Sequence, residues 1–213
     1  MLIVDEIFYS LQGESTYTGF PTVFVRLFGC PVGCSYCDQP QRAEDKKRMS
    51  LERVVSAVQK YKWVKYVCIT GGEPMVQEDV LPLVYELQTL GYSVSIETSG
   101  CVYIEPSGYK RSYKYVMDIK CPSSGVKDKN VFENLVHLQK NDEVKYVIRD
   151  RRDYRFMLSV MKRYPTSAQV LVSPMFLEGK MTVSGAELSR WIAQDKLGSV
   201  RVQLQCHRFW GVK

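Results

Sequence analysis

The chain has 213 residues, 45% of them hydrophobic, which is enough for one well-buried core and a single expected domain over 1–213. Seven cysteines, an odd number with three crowded into one loop, exclude a disulfide framework and point to a reducing cytosol. The formal net charge of +6 is scattered apart from short runs at 46–48 and 149–152, which argues against direct nucleic-acid binding and suits a small anionic substrate.

The opening run, MLIVDEIFYSLQGES, carries Asp5 and Glu6 and no basic n-region, so it does not read as a signal peptide. No apolar run approaches bilayer length, and a soluble cytoplasmic protein is expected. Gln12, Gly13 and Glu14 follow this first apolar stretch. Residues 22–28 read as a strand, and 51–60 as a helix with Val54, Val55 and Val58 on one face and Ser50 as its cap. A strand over 66–69 precedes a helix over 80–90 stopped by Gly91. Strands follow at 94–96 and 115–117, a helix at 131–138, a strand at 144–148 and a helix at 154–163 ended before Pro165. After a strand at 169–172, Ser184 and Glu187 form a capping box for a helix carrying Leu188, Trp191 and Ile192, and a strand at 200–204 closes the series.

Alternating strands and helices imply a mostly parallel α/β sheet with right-handed crossovers. About six β/α units fit the length, fewer than the eight of a full barrel, so an incomplete (β/α)6-type barrel is expected. The polar segments 70–74, 97–100, 118–120, 173–176 and 205–207 each come directly after a strand. In such a barrel those strand ends share one face, where active sites are built.

Cys30, Cys34 and Cys37 stand in GCPVGCSYCD, a Cys-x3-Cys-x2-Cys spacing. Three thiolates on one loop can hold three corners of a 4Fe–4S cluster, and one iron is left open for S-adenosylmethionine. Structural zinc is the alternative, with Cys68, Cys101, Cys121 or Cys206 as fourth ligand, but no second matched cysteine pair exists. In TGGEP, Gly71 and Gly72 let backbone approach a ligand, and Glu73 adds charge near a methionine ammonium. Glu97 and Ser99 of ETSG and Asp118 of DIK can meet ribose hydroxyls, while Lys120 can meet a carboxylate or serve only as a salt bridge to Asp118. Strand alternation puts Arg26 on the face of Phe24 and Phe28, where it suits bidentate capture of a substrate carboxylate. Glu14 can accept two parallel N–H groups from a pterin or guanine edge. The residues after Gln205 can fold over the barrel mouth and carry His207 inward, with Phe209 and Trp210 arguing against a frayed end.

The triplet resembles the signature of the radical S-adenosylmethionine superfamily. The ordered set LQGES, FVRLFGCPVGCSYCD, TGGEP, ETSG, DIKCPSSG, a late SPM and LQCHRF is similar to the 7-carboxy-7-deazaguanine synthase family over nearly the whole chain. That resemblance implies a homodimeric lyase of queuosine and deazapurine biosynthesis with a partial-barrel fold. It would act on 6-carboxy-5,6,7,8-tetrahydropterin with loss of ammonia and take its electron from flavodoxin or ferredoxin. It implies cluster ligation by Cys30, Cys34 and Cys37. S-adenosylmethionine contacts would come from Tyr36, Cys37 and Asp38, from Gly72, from Asp118, Ile119 and Lys120, and from Ser173, Pro174, Met175 and Phe176. Pterin contacts would come from Gln12, Gly13, Glu14, Arg26 and Thr70, with Glu97, Gln205 and His207 in the pocket and Lys213 reaching the substrate from the chain end.

Three departures accompany the resemblance. Gln39 stands where many members place a Mg2+-coordinating threonine or serine, DIK replaces SPK, and Cys206 replaces a threonine and reads as packing. A glycyl-radical activating enzyme shares the triplet but leaves QGE and LQCHRF unexplained, and a non-catalytic zinc module is the reading from another class.

Overall fold

The computed structural model describes residues 1–37, 39 and 46–213. β1 (Leu2–Leu11) and β2 (Pro21–Leu27) form an antiparallel pair, and β3 (Lys47–Met49) lies along the outer edge of β1. From β2 onward the sheet is parallel: β4 (Tyr66–Gly71), β5 (Ser93–Thr98), β6 (Lys114–Ile119), β7 (Glu143–Ile148) and β8 (Gln169–Pro174). A small hairpin of β9 (Phe176–Leu177) and β10 (Lys180–Met181) stands apart, and β11 (Arg201–Val202) pairs with β8 at the far edge. The order of the nine-stranded sheet, β11-β8-β7-β6-β5-β4-β2-β1-β3, is that of a partial barrel.

Alternation along the strands separates two chemistries. Val23, Val25 and Leu27, then Val67 and Ile69, Val94 and Ile96, Met117 and Ile119, and Val144, Tyr146 and Ile148 are buried on the face covered by helices. The helices are α1 (Leu51–Gln59), α2 (Val80–Thr89), the single turn α3 (Asn134–His137), α4 (Arg151–Arg163) and α5 (Gly185–Gln194). Val54 and Val58, Leu83 and Leu87, Met157 and Val160, and Leu188 complete this core. Each such side chain contributes about 1.5–3 kcal/mol on burial. Arg26, Thr70, Glu97, Asp118 and Lys145 occupy the opposite face. A one-residue slip would put these polar groups under the helices, so the apolar face fixes the register that assembles the polar one.

Three elements differ from the sequence pattern for identifiable reasons. α4 begins at Arg151 because Asp150 accepts from the backbone N–H groups of Arg152 at 2.8 Å and Asp153 at 3.2 Å. α3 is one turn rather than 131–138 because Asn134 is diverted. Its side chain accepts from Ile104 N and donates to the carbonyls of Gly100 and Val102, tying down the helix-free crossover between β5 and β6. β11 is two residues rather than 200–204 because Gln203 turns to another task. Its side-chain oxygen accepts from Ser15 N at 2.9 Å. The loop 12–20 thus spans the open side of the barrel, where Thr16 N also donates to Glu143 at 3.0 Å and Gly13 O accepts from Cys206 N at 2.9 Å. Among the described residues no helix is long and apolar enough to cross a membrane.

Candidate active site

A cavity of about 260 Å³ opens on the polar face of the sheet. Its rim is the cysteine loop. Cys30 and Cys37 are exposed and Cys34 is half-buried, and all three line the cavity. Burial pushes the Cys34 thiol up, with Lys120 nearby opposing it. The loop is held from outside: Lys129 donates to the carbonyls of Pro31 and, at 2.8 Å, Val32, while Ser35 N donates to Ser124 O at 2.9 Å.

Gly71 and Gly72 line the cavity and also seat this loop. A Cβ on Gly71 would run into the backbone of Leu27, and one on Gly72 into the carbonyl of Gly29, so only glycine lets β4 seat the cysteine loop this closely. Glu73 differs from the expectation of charge facing the cofactor. It is fully buried and absent from the cavity lining. Its carboxylate accepts from Met75 N at 3.0 Å, Thr98 Oγ1 at 2.7 Å, and Ser99 N at 2.7 Å, and also from the Ser99 hydroxyl. Ser99 lines the cavity with its hydroxyl committed to Glu73.

Below the rim, Asp118 pairs with Lys120 at 3.1 Å and with Lys145 at 3.6 Å. Burial opposes the charge on Lys120, but Asp118 and Cys34 hold its pKa above the ordinary lysine value. Asp118 Oδ1, Tyr36 Oη and Ser173 Oγ are buried without a hydrogen-bond partner. Burial, reinforced by Asp118, pushes the Tyr36 phenol far up. Met175 and Phe176 line the same wall. Ile119 packs into the apolar core, and Pro174 ends β8 outside the cavity lining.

The floor is a set of interlocked polar groups. Arg26 Nε donates to Glu6 at 2.9 Å and its guanidinium stands 5.4 Å from the Phe8 ring centroid. Phe24 shares the cavity with it, as alternation predicts, but Phe28 lies past the end of β2 and outside the lining. Glu97 accepts from Thr70 Oγ1 at 3.0 Å and Gln12 Nε2 at 3.3 Å. Glu14 accepts from Lys145 Nζ at 2.6 Å and Gln205 Nε2 at 2.7 Å. Burial raises the Glu14 pKa, yet Lys145, Gln205 and His207 together hold it below the usual carboxylate range. Lys145 was missed in the sequence; its signal is a lysine in the middle of the apolar strand VKYVI, the same oddity that marks Arg26.

The closing segment, with the short helix α6 (His207–Trp210), completes the wall. His207 packs so tightly over Gly13 that no side chain fits there. Lys213 pairs with Glu6, stands 4.8 Å from the Phe8 ring centroid, and its main-chain oxygen accepts from Ser10 Oγ at 2.8 Å. Phe209 is 58% and Trp210 43% exposed, so the two rings are not buried as the sequence suggests; Phe209 meets Phe176 edge-on at 5.6 Å, and polar contacts anchor the segment beside it. Gln39 lines the cavity, and Asp38 lies outside the described residues.

A partial parallel barrel with three loop thiols above a polar floor defines a radical S-adenosylmethionine protein, and the Radical SAM superfamily model matches residues 25–106. The chain is 36% identical to the 7-carboxy-7-deazaguanine synthase of Koribacter versatilis, over 97% of this chain and 95% of the relative. It is 39% identical to the 7-carboxy-7-deazaguanine synthase of Methanospirillum hungatei JF-1, over 98% and 85% respectively. The crystal structure of QueE from Escherichia coli shares the fold, with a TM-score of 0.75 at 23% identity over 97% of this chain and 94% of that one. The chain belongs to the 7-carboxy-7-deazaguanine synthase family of radical S-adenosylmethionine enzymes. Membership implies a 4Fe–4S cluster and S-adenosylmethionine.

Proposed function

We propose that the protein converts 6-carboxy-5,6,7,8-tetrahydropterin to 7-carboxy-7-deazaguanine with release of ammonia, in the route to queuosine or a related deazapurine. The observation that carries this reading is one cavity joining a rim of three thiols to a floor offering Arg26, Glu14 and Glu97 together. A carboxypterin has the matching groups, an anionic carboxylate and an edge of adjacent N–H donors.

Cys30, Cys34 and Cys37 would hold the cluster through their three thiolates, and a site with only three local thiolates would leave it able to take S-adenosylmethionine. When bound, the cluster and S-adenosylmethionine would supply one-electron radical chemistry suited to hydrogen-atom abstraction. Ser173 lies behind the lining, whereas Asp118 and Tyr36 line the cavity with an unpartnered Oδ1 and Oη, which fit the hydroxyl and base groups of that cofactor. Lys120 meets its carboxylate, with Gly72, Met175 and Phe176 alongside.

Arg26 receives the substrate carboxylate through its Nη donors, because Glu6 already takes Nε and fixes the guanidinium plane. Glu14 and Glu97 accept pterin N–H groups, and Gln12, Thr70 and Gln205 orient those two carboxylates. His207 and Lys213 close the wall. Held this way, the substrate would present one hydrogen for abstraction, so the role of these residues is orientation and none need act as nucleophile. Gln39 offers an amide oxygen to Mg2+. Its longer, neutral side chain predicts a weaker magnesium requirement than Gln39→Thr shows in the same titration, and identical steep curves would refute this. The protein works in the cytoplasm as a homodimer, with flavodoxin or ferredoxin approaching the exposed Cys30 and Cys37; equilibrium sedimentation as a monomer would refute the dimer.

Anaerobically reconstituted protein, given carboxytetrahydropterin, S-adenosylmethionine and a reductant, should form 7-carboxy-7-deazaguanine and ammonia in equal amounts. Cleavage of S-adenosylmethionine with no deazaguanine formed would overturn the substrate assignment.

A further inference from the structure

We propose that Lys145 is the positioning residue of the substrate floor, locking Glu14 as an ionised double acceptor and linking it to Asp118 on the cofactor side. This rests on the substrate reading above. Lys145 lies mid-strand on β7, and its register partner on β6 is Asp118. Its Nζ is 2.6 Å from Glu14 Oε2 and 3.6 Å from Asp118 Oδ2. The apolar core occupies the other face of the sheet, so Lys145 is not there to pack. Asp118 has a second cation in Lys120, whereas the other donor to Glu14 is the neutral Gln205.

The groups facing the pair are Glu14, Asp118, Lys120, Glu97 and His207. Burial opposes the charge on Lys145, but Glu14, Asp118 and Glu97 hold its pKa well above the ordinary lysine value. Without the ammonium, burial dominates at Glu14 and the carboxyl takes up a proton. A protonated carboxyl turns one acceptor into a donor and mismatches a pair of N–H groups.

The test uses reconstituted holoenzyme. In Lys145→Met, KM for the carboxypterin should rise about 30-fold at pH 7, roughly 2 kcal/mol. It should fall again as pH rises and Glu14 ionises, while wild-type KM stays flat. Iron content should match wild type. Lys145→Arg should recover most of the affinity. The double variant Glu14→Gln/Lys145→Met balances the buried charge, so it should regain thermal stability but keep the high KM. A KM unchanged in Lys145→Met, or restored in the double variant, would overturn the proposal. Independently of any substrate, infrared spectroscopy should show a protonated-carboxyl band at pH 7 in Lys145→Met that vanishes in the double variant. Absence of that band overturns the proposal too, whereas a wild-type enzyme that makes no deazaguanine overturns only the substrate reading.

Discussion

Two cations standing in the middle of apolar strands define the floor, and they were unequally visible. Arg26 is flanked by Val25 and Leu27 and shares its face with Phe24, so alternation alone separates it from the core. In VKYVI the same rule applies to Lys145, but its meaning depends on a carboxylate 131 residues away that no local pattern reveals. Arg26→Lys should raise KM for the carboxypterin at least tenfold while KM for S-adenosylmethionine changes less than twofold. Lysine keeps the charge but loses both the Nε tie to Glu6 and the planar fork. Glu6 reinforces the point: burial raises its carboxyl, but Lys213 and Arg26 hold it below the usual range, so the guanidinium has a fixed anionic partner. Steady-state kinetics that left the carboxypterin KM unaltered would remove Arg26 from the substrate.

At the scale of elements, the chemistry follows from which groups a strand end or loop must satisfy first. The cavity-facing side of β2 was readable because alternation sets Arg26 opposite Val23, Val25 and Leu27, whereas on β6 and β7 apolar residues such as Val116 and Val147 also face the cavity and blur the pattern. The role of the residues after β4 was not readable. A glycine pair followed by glutamate reads equally as a ligand cradle or as a packing joint, and the neighbours that reveal the joint are Leu27 at the end of β2 and Gly29 just beyond it. The structure makes it a joint: Gly72 N donates to Leu27 O at 3.0 Å and Glu73 N to Gly29 O at 2.8 Å, stapling β4 to the root of the cysteine loop. Gly72→Ala should therefore displace that loop. The overpacking should cost about 1–3 kcal/mol. Iron bound per chain after reconstitution should drop well below wild type, and so should the melting temperature. Full iron loading in Gly72→Ala would mean that the joint is not what sets the loop.

Across the whole molecule, the site is finished by the two segments that lie farthest apart in sequence. The loop 12–20 reaches over to β7 and β11, and the closing segment folds back onto β1, so the floor needs both to be in place. Docking of the closing segment was legible from its position after the last strand. Its physical basis was legible only in part: Phe209, though exposed, meets Phe176 edge-on at 5.6 Å, while the polar contacts to Ser10, Glu6 and Gly13 have no local signal in the sequence. Removing residues 211–213 should therefore act on the substrate and not on the cluster. Glu6 would lose Lys213 and keep Arg26, Phe8 would lose one of the two cations over its ring, and the wall beside Arg26 would open to water. KM for the carboxypterin should rise about tenfold, which corresponds to about 1.4 kcal/mol. Iron content, the visible absorbance of the cluster and uncoupled cleavage of S-adenosylmethionine should stay at wild-type levels, since the contacts of the cysteine loop run to Lys129, Ser123, Ser124 and Glu73. A truncated protein with wild-type KM would separate the closing segment from the pocket, and one that lost its iron would place the segment under the cluster loop instead.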